Sequence, residues 1–330
     1  MADSSARKHV LVFRELPPDQ LARLQAQHQV TYANPRLPGQ IEAFLAALPT
    51  AEGMIGSGYP LDQALLRSAP RLKVISSMSA GVDNYDLPTL AARGILLCHT
   101  ADVQAETTAD VIFLLIMASS RRLVELANYV RDGHWTRYVG EDLLGSDVHG
   151  KTLGILGFGR IGKAVARRAA LGFGMPVLYH SRRQVDLTGD TLAGKATRAP
   201  LDELLQRADI IAAVLPLSNE TRGLLGAREF GLMKPGAIFV NGGRGATVRE
   251  DALLHALDAG TMRAAGLDVF AVEPLPMDSP LRRHAKVTAL PHVGSSTFEV
   301  RYEMAKLATS NLLQALAGER PVAVFEAAAD

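Results

Sequence analysis

The sequence predicts an α/β protein built as two doubly wound, parallel-sheet domains. Two observations carry this reading. Short β-branched or aliphatic runs alternate with helix-like segments along most of the chain, and the alternation starts afresh at Lys151. The length of 330 residues agrees, being larger than one ordinary domain and comfortable for two.

In the first series, strands are expected at Val10–Phe13, Val30–Ala33, Gly53–Ser57, Val74–Met78 and Ile95–Cys98. Helical spacing marks Pro17–His28 and Ile41–Leu48, and Pro60 suits the first position of a helix over Leu61–Arg67. This region reads as a flavodoxin-like domain. Residues 104–131 contain neither Pro nor Gly and predict one unbroken helix spanning between the domains. Asp132–Gly150, with four glycines, Trp135 and Tyr138, reads as an extended arm of the kind that meets a partner subunit.

The second series places strands at Thr152–Leu156, Pro176–Ser181, Ile210–Pro216, Ala237–Gly242, Gly266–Phe270 and Val287–Leu290, a Rossmann-like sheet. A last helix, Ser296–Leu316, is expected to return to the first domain. The expected division is 1–103 plus 296–330 for the substrate domain and 104–295 for the dinucleotide-binding domain. Its dimerisation arm falls at about 122–150.

Composition narrows the function classes. Lys plus Arg (35) almost balances Asp plus Glu (34), so no global field attracts nucleic acid or an anionic membrane. Any anion must be held locally. Cys98 is the single cysteine, which excludes an intrachain disulfide and a Cys-based metal framework. The longest apolar run, Val111–Ala118, is far shorter than the ~20 residues of a membrane helix, and a cytoplasmic location is expected.

Gly157-Phe-Gly159-Arg160-Ile161-Gly162 follows an expected strand and opens an expected helix, the context in which GxGxxG acquires meaning. Gly157 permits the tight turn, Gly159 lets a pyrophosphate approach the backbone, and Gly162 allows helix and strand to pack closely. An NAD enzyme has an acidic residue about 20 positions further on, for the ribose hydroxyls. Here that place holds His180-Ser181-Arg182-Arg183. Arginine forks suit a 2′-phosphate, so NADPH is the expected cofactor, with NADH as the alternative. A solvated basic pair at a strand end is the plainer explanation, which the missing carboxylate disfavours.

Three later segments each bring an ionisable residue to a strand end. They are Asn241-Gly-Gly-Arg244, Asp268-Val-Phe-Ala-Val-Glu273-Pro and Pro291-His292-Val-Gly-Ser295. Strand C-termini face the ligand in such sheets. Taken singly, Arg244 could bind a helix end, Glu273 could end a turn, and His292 could be a satisfied, partly buried histidine. Together they can anchor a carboxylate, orient a base and move a proton.

With these segments the sequence resembles the D-isomer-specific 2-hydroxyacid dehydrogenase family over essentially its whole length. Gly145-Ser-Asp-Val-His-Gly-Lys-Thr-Leu-Gly154 and Met175-Pro-Val-Leu-Tyr-His-Ser-Arg-Arg183 are most similar to its bacterial glyoxylate/hydroxypyruvate reductases, which also take 2-ketogluconate. The resemblance implies a homodimeric reductase of small 2-keto acids with Arg244, Glu273 and His292 as catalytic residues. It further implies that Asp268 holds the nicotinamide carboxamide and that Thr108, Pro216, Thr221 and Gly242 line the cofactor. The Ala80–Gly81 backbone, in Ser79-Ala-Gly-Val-Asp83, would meet the substrate carboxylate, with Arg244, His292 and Ser295 also at the substrate. Trp135 would reach a neighbouring subunit. The competing readings are a 2-ketogluconate 6-phosphate reductase and a nucleotide-sensing corepressor or scaffold of the same family. Oxidation of 3-phosphoglycerate is disfavoured by the Arg doublet.

Overall fold

Val10, Leu11 and Val12 are fully buried, as a strand covered on both faces by helices must be. In the computed structural model, which describes residues 7–325, the chain divides into two compact units. One comprises the chain up to Gln104 and from Ser296 onward, the other Ala105–Ser295.

The first unit contains β1 (His9–Val12), α1 (Pro18–Gln27), β2 (Gln29–Tyr32), α2 (Ile41–Ala47), β3 (Gly53–Gly56), α3 (Gln63–Arg67), β4 (Val74–Ser77), α4 (Leu87–Ala92) and β5 (Leu96–Cys98). Its five strands are parallel in the order β2-β1-β3-β4-β5. The expected helix over Leu61–Arg67 begins two residues later. Leu61 is committed to a bridge with Tyr85, and the Asp62 carboxylate caps α3 by accepting from the Leu65 amide at 2.9 Å.

The second unit runs through α5 (Ala105–Ser120), α6 (Leu123–Arg131), β6 (Leu153–Leu156), α7 (Arg160–Arg167), β7 (Val177–His180), β8 (Ala196–Arg198), α8 (Leu201–Arg207), β9 (Ile210–Ala213), α9 (Ala227–Leu232), β10 (Ala237–Asn241), α10 (Glu250–Asp258), β11 (Met262–Leu267) and β12 (Val287–Ala289). Its seven parallel strands are ordered β12-β11-β10-β9-β6-β7-β8, which places the topological switch between β6 and β9. The closing helix α11 (Phe298–Ala317) belongs to the first unit, where Ala305, Ala308, Leu312 and Leu316 pack into the core with Val10, Val12 and Ile55.

Two expectations are corrected here. The unbroken helix over 104–131 is two helices, because Arg122 turns left-handed (φ 53) between α5 and α6. Its guanidinium pairs with Glu125 and also donates to the Asp142 carbonyl, so the break is held by side-chain bonds that spacing does not reveal. The strand expected at Gly266–Phe270 starts earlier, at Met262, and ends at Leu267. Its Ala264-Ala265-Gly266 centre lacks β-branched residues because α5 lies directly on it, with Ser119 Oγ 2.8 Å from where a Gly266 Cβ would stand.

Candidate active site

The nucleotide fingerprint sits at the switch point of the second sheet, and its three glycines are required for three different reasons. Gly157 has φ +95, and a Cβ there would lie 2.7 Å from the Val214 carbonyl that follows β9. Gly162 passes so close to Gly157 that its Cβ would meet the Gly157 carbonyl at 2.2 Å. Gly159 has no atom within 4 Å of its Cβ position, so the space beside it is open. Helix α7 starts at Arg160, with Gly159 as its N-cap, no side-chain cap and Ile161 in the same turn, and the first-turn N–H groups of such a helix suit an anion. A turn, a close-packed helix start and an open cradle for phosphate are what a dinucleotide requires, and these residues fit one.

At the end of β7, the Ser181 hydroxyl donates to the Arg183 carbonyl at 2.6 Å, and the side chains of Arg182 and Arg183 are exposed. Sequence reasoning missed Arg198, the last residue of the three-residue strand β8. Its guanidinium donates to the Ser181 and Arg182 carbonyls at 3.0 and 3.1 Å, clamping the loop that presents the doublet. So short a strand carries no periodic signal. Pro216 and Thr221 form one turn beyond β9, where the Thr221 hydroxyl donates to the Pro216 carbonyl and accepts the Ser218 amide at 2.7 and 2.8 Å. Glu220, in the same turn, accepts from the Ser218 hydroxyl, which holds its carboxyl below the ordinary range.

The Arg244 loop is shaped by the strand end that precedes it. The Asn241 side chain accepts the Gly243 amide at 3.0 Å and donates to the Arg244 carbonyl at 3.1 Å, and the Thr247 hydroxyl donates to the same carbonyl at 2.7 Å. Gly242 is accounted for by packing, since its Cβ would lie 2.3 Å from Ile112 of α5. Gly245 abuts the next loop, with a Cβ position 1.8 Å from the Phe270 carbonyl carbon. That contact sets the backbone beside Arg244 against the loop bearing Glu273.

Glu273 binds in two directions. One carboxylate oxygen accepts the Phe270 amide at 3.0 Å, and the other accepts from His292 Nδ1 at 2.7 Å. Burial opposes its ionisation, but the bonds from His292 and Phe270 and the nearby charges of His292 and Arg244 prevail and hold the carboxyl below its ordinary range. Asp268, 2% exposed, accepts the consecutive amides of Val293 and Gly294 at 2.8 and 2.9 Å. Burial lifts its carboxyl above the ordinary range despite those bonds. His292 itself has φ 55, uncommon for a residue with a side chain. Thr108 of α5 adjoins this turn, its methyl 3.1 Å from where a Gly294 Cβ would stand, and Ser295 follows immediately.

Arg244, Glu273, His292, Asp268 and Thr108 therefore belong to neighbouring segments of the second unit. Both oxygens of Asp268 hold the His292 turn, each keeping a further lone pair with which to accept. Ala80 and Gly81 lie on the first unit, in the loop after β4. There the Ser79 hydroxyl donates to the Gly81 carbonyl at 2.8 Å and its backbone carbonyl accepts the Thr100 amide at 3.0 Å.

Replacing Gly245 by Ala should separate the Arg244 and Glu273 loops. Overpacking of this kind costs about 1–3 kcal/mol, and misplacing a reacting group by ~1 Å can cost on the order of 10²-fold in rate. The expected outcome is a fall of at least tenfold in kcat with dinucleotide affinity changed less than threefold, checked by steady-state kinetics and cofactor titration.

The model for the D-isomer specific 2-hydroxyacid dehydrogenase NAD-binding domain matches residues 113–294. A glyoxylate/hydroxypyruvate reductase B from Escherichia fergusonii is 48% identical over 309 residues, covering 94% of this chain and 95% of that protein. Among solved structures, the TT0316 protein of Thermus thermophilus is 40% identical with a TM-score of 0.87, covering 96% of this chain and all of that one. An NADPH-dependent glyoxylate/hydroxypyruvate reductase of Sinorhizobium meliloti, solved with NADP and malonate, is 28% identical with a TM-score of 0.84, over 97% of each chain. The chain is an oxidoreductase that belongs to the D-isomer specific 2-hydroxyacid dehydrogenase family.

Proposed function

We propose that this protein reduces small 2-keto acids, glyoxylate and hydroxypyruvate foremost and 2-ketogluconate among them, to D-2-hydroxy acids with NADPH. The observation that carries the reading is the 2.7 Å Glu273–His292 pair set in the loop layer that also presents Arg244. Glu273, its carboxyl held low, is anionic across the neutral range, and it is lost as a partner when pH falls through that lowered value. Its carboxylate occupies Nδ1 of His292 and leaves Nε2 to carry the proton that moves. The bound nicotinamide cofactor would supply the hydride. His292 then gives its Nε2 proton to the carbonyl oxygen, and Arg244 holds the substrate carboxylate by a charge-assisted fork. On the first unit, the Ala80–Gly81 backbone is the proposed contact for that carboxylate.

Replacing His292 by Ala should lower kcat with glyoxylate by ~10²–10⁴-fold, the usual contribution of a positioned general acid, while NADPH binding stays within a few fold. Near-normal turnover in this variant would remove His292 from the proton path. Absence of glyoxylate-dependent NADPH oxidation by the unaltered protein, by contrast, would favour the nucleotide-sensing reading.

NADPH preference rests on Arg182 and Arg183, presented by the Arg198 clamp and with no carboxylate in Ser181–Arg183. Hydrogen bonds to charged groups contribute about 1.5–3 kcal/mol each, and ~1.4 kcal/mol is a factor of ten. Wild-type kcat/KM should favour NADPH over NADH by at least tenfold. Ser181→Asp combined with Arg182→Gln and Arg183→Gln should invert that order; an unchanged ratio would assign the choice to other residues.

A homodimer is proposed from the segment at about 122–150. No residue of α6 is buried, and Leu123, Val124, Val130, Trp135 (61% exposed), Tyr138 (98%), Val139 and Leu144 present apolar surface to solvent. Exposed apolar area on this scale marks an association surface, and a second copy is its commonest occupant. Light scattering at micromolar concentration should give about twice 35.3 kDa. A monomer mass would overturn the assignment.

A further inference from the structure

The order β2-β1-β3-β4-β5 gives the first unit a switch point of its own, between β1 and β3. Open α/β sheets bind ligands in the crevice outside the carboxyl ends of their strands at such a point. Three arginines meet there. Arg14, just beyond β1, donates from Nη1 to the buried Ser57 Oγ beyond β3 at 2.9 Å, bridging the two strand ends. Gly58 follows with φ +76; Arg14 Nη1 and Arg36 Nη2, the latter beyond β2, lie 3.4 and 3.8 Å from where its Cβ would be. Arg301, in the first turn of α11, donates to Ser296 Oγ at 3.0 Å and lines one cavity of about 600 Å³ together with Arg14, Glu15 and Met78.

Among the described residues none of the three arginines makes an ion pair. Burial and then the charge of Arg36 hold the Arg14 guanidinium below its ordinary range; burial and then the charge of Arg14 do the same for Arg301. Like charges gathered in a partly buried crevice destabilise one another, and an oxyanion reverses the sign of that interaction. Planar guanidinium forks match a carboxylate or phosphate in geometry as well as charge.

We propose that this crevice is an oxyanion subsite, which takes the far end of a longer 2-keto acid bearing a second carboxylate or a phosphate. The proposal rests on the reductase reading given above. Met78, which lines the cavity, immediately precedes the Ser79–Asp83 loop whose Ala80–Gly81 backbone is the proposed holder of the reacting carboxylate. A two-carbon acid held at that loop has no group to send into the crevice, whereas a longer one does.

The test compares the full chain with its Arg14→Gln, Arg36→Gln and Arg301→Gln variants. Substrates are glyoxylate, with no far end; 2-ketoglutarate, with a second carboxylate; and 3-phosphohydroxypyruvate, with a phosphate. For at least one charged acid, kcat/KM should fall tenfold or more in the Arg14 and Arg301 variants and severalfold in the Arg36 variant, with glyoxylate within twofold of wild type. Which acid responds identifies the oxyanion. Arg36 is exposed, so its variant keeps the test independent of any folding defect at the partly buried pair. Calorimetry with inorganic phosphate supplies a readout apart from turnover: binding to wild type should weaken at least tenfold in Arg301→Gln. Phosphate binding lost in that variant, in a protein that reduces no keto acid, would uphold the subsite and end the reductase reading. Glyoxylate reduction with no selective loss on either charged acid overturns the subsite alone.

Discussion

A buried carboxylate sets the geometry on which the candidate site depends. Asp268 accepts the amides of Val293 and Gly294, the two residues after His292, and so holds the turn that His292 makes. His292 absorbs that turn in the left-handed region, which costs a residue with a side chain about 1–2 kcal/mol. Hydrogen bonds to a charged acceptor, about 1.5–3 kcal/mol each, offset it. The turn brings the imidazole to Glu273, and Gly294 closes the space between Thr108 and Asp268.

Two acidic groups a few residues apart thus acquire opposite characters from their surroundings. Asp268, sealed from water, has its carboxyl lifted and serves as a structural acceptor; Glu273, bonded to His292 and near Arg244, has its carboxyl held low and keeps its charge beside the imidazole. Neither role follows from residue type. Each follows from how far burial is countered by donors and nearby cations.

Positive charge shows a similar local logic. A chain with nearly equal numbers of acids and bases has no long-range attraction to spend on anions, so the arginines act where they are gathered. One group, Arg182, Arg183 and Arg198, lies at the end of β7 and β8; another, Arg14, Arg36 and Arg301, lies at the switch of the first sheet. In the first group Arg198 is tied to two backbone carbonyls; in the second Arg14 and Arg301 are each tied to a serine hydroxyl. Strand C-termini are suited to this because successive loops converge there from residues far apart in the chain.

The α/β alternation, the two-sheet organisation and the Gly157–Gly162 fingerprint were legible from residue order alone, because β-branched runs, helical spacing and glycine demands are local properties. Arg244, Glu273 and His292 were legible too, as ionisable residues at strand ends. The break at Arg122, the early start of β11 at Met262 and the strand β8 were not, since each depends on what packs or bonds from elsewhere: the Asp142 carbonyl, helix α5, and β7. Tertiary structure likewise gave Asp268 its hold on the His292 turn and Arg198 its clamp on the Arg182 loop. Sequence by itself determined which chemical groups the chain carries and which elements bear them. Only the folded chain decided which groups meet, because hydrogen bonds and burial act over a few ångströms of space between residues separated by tens of positions.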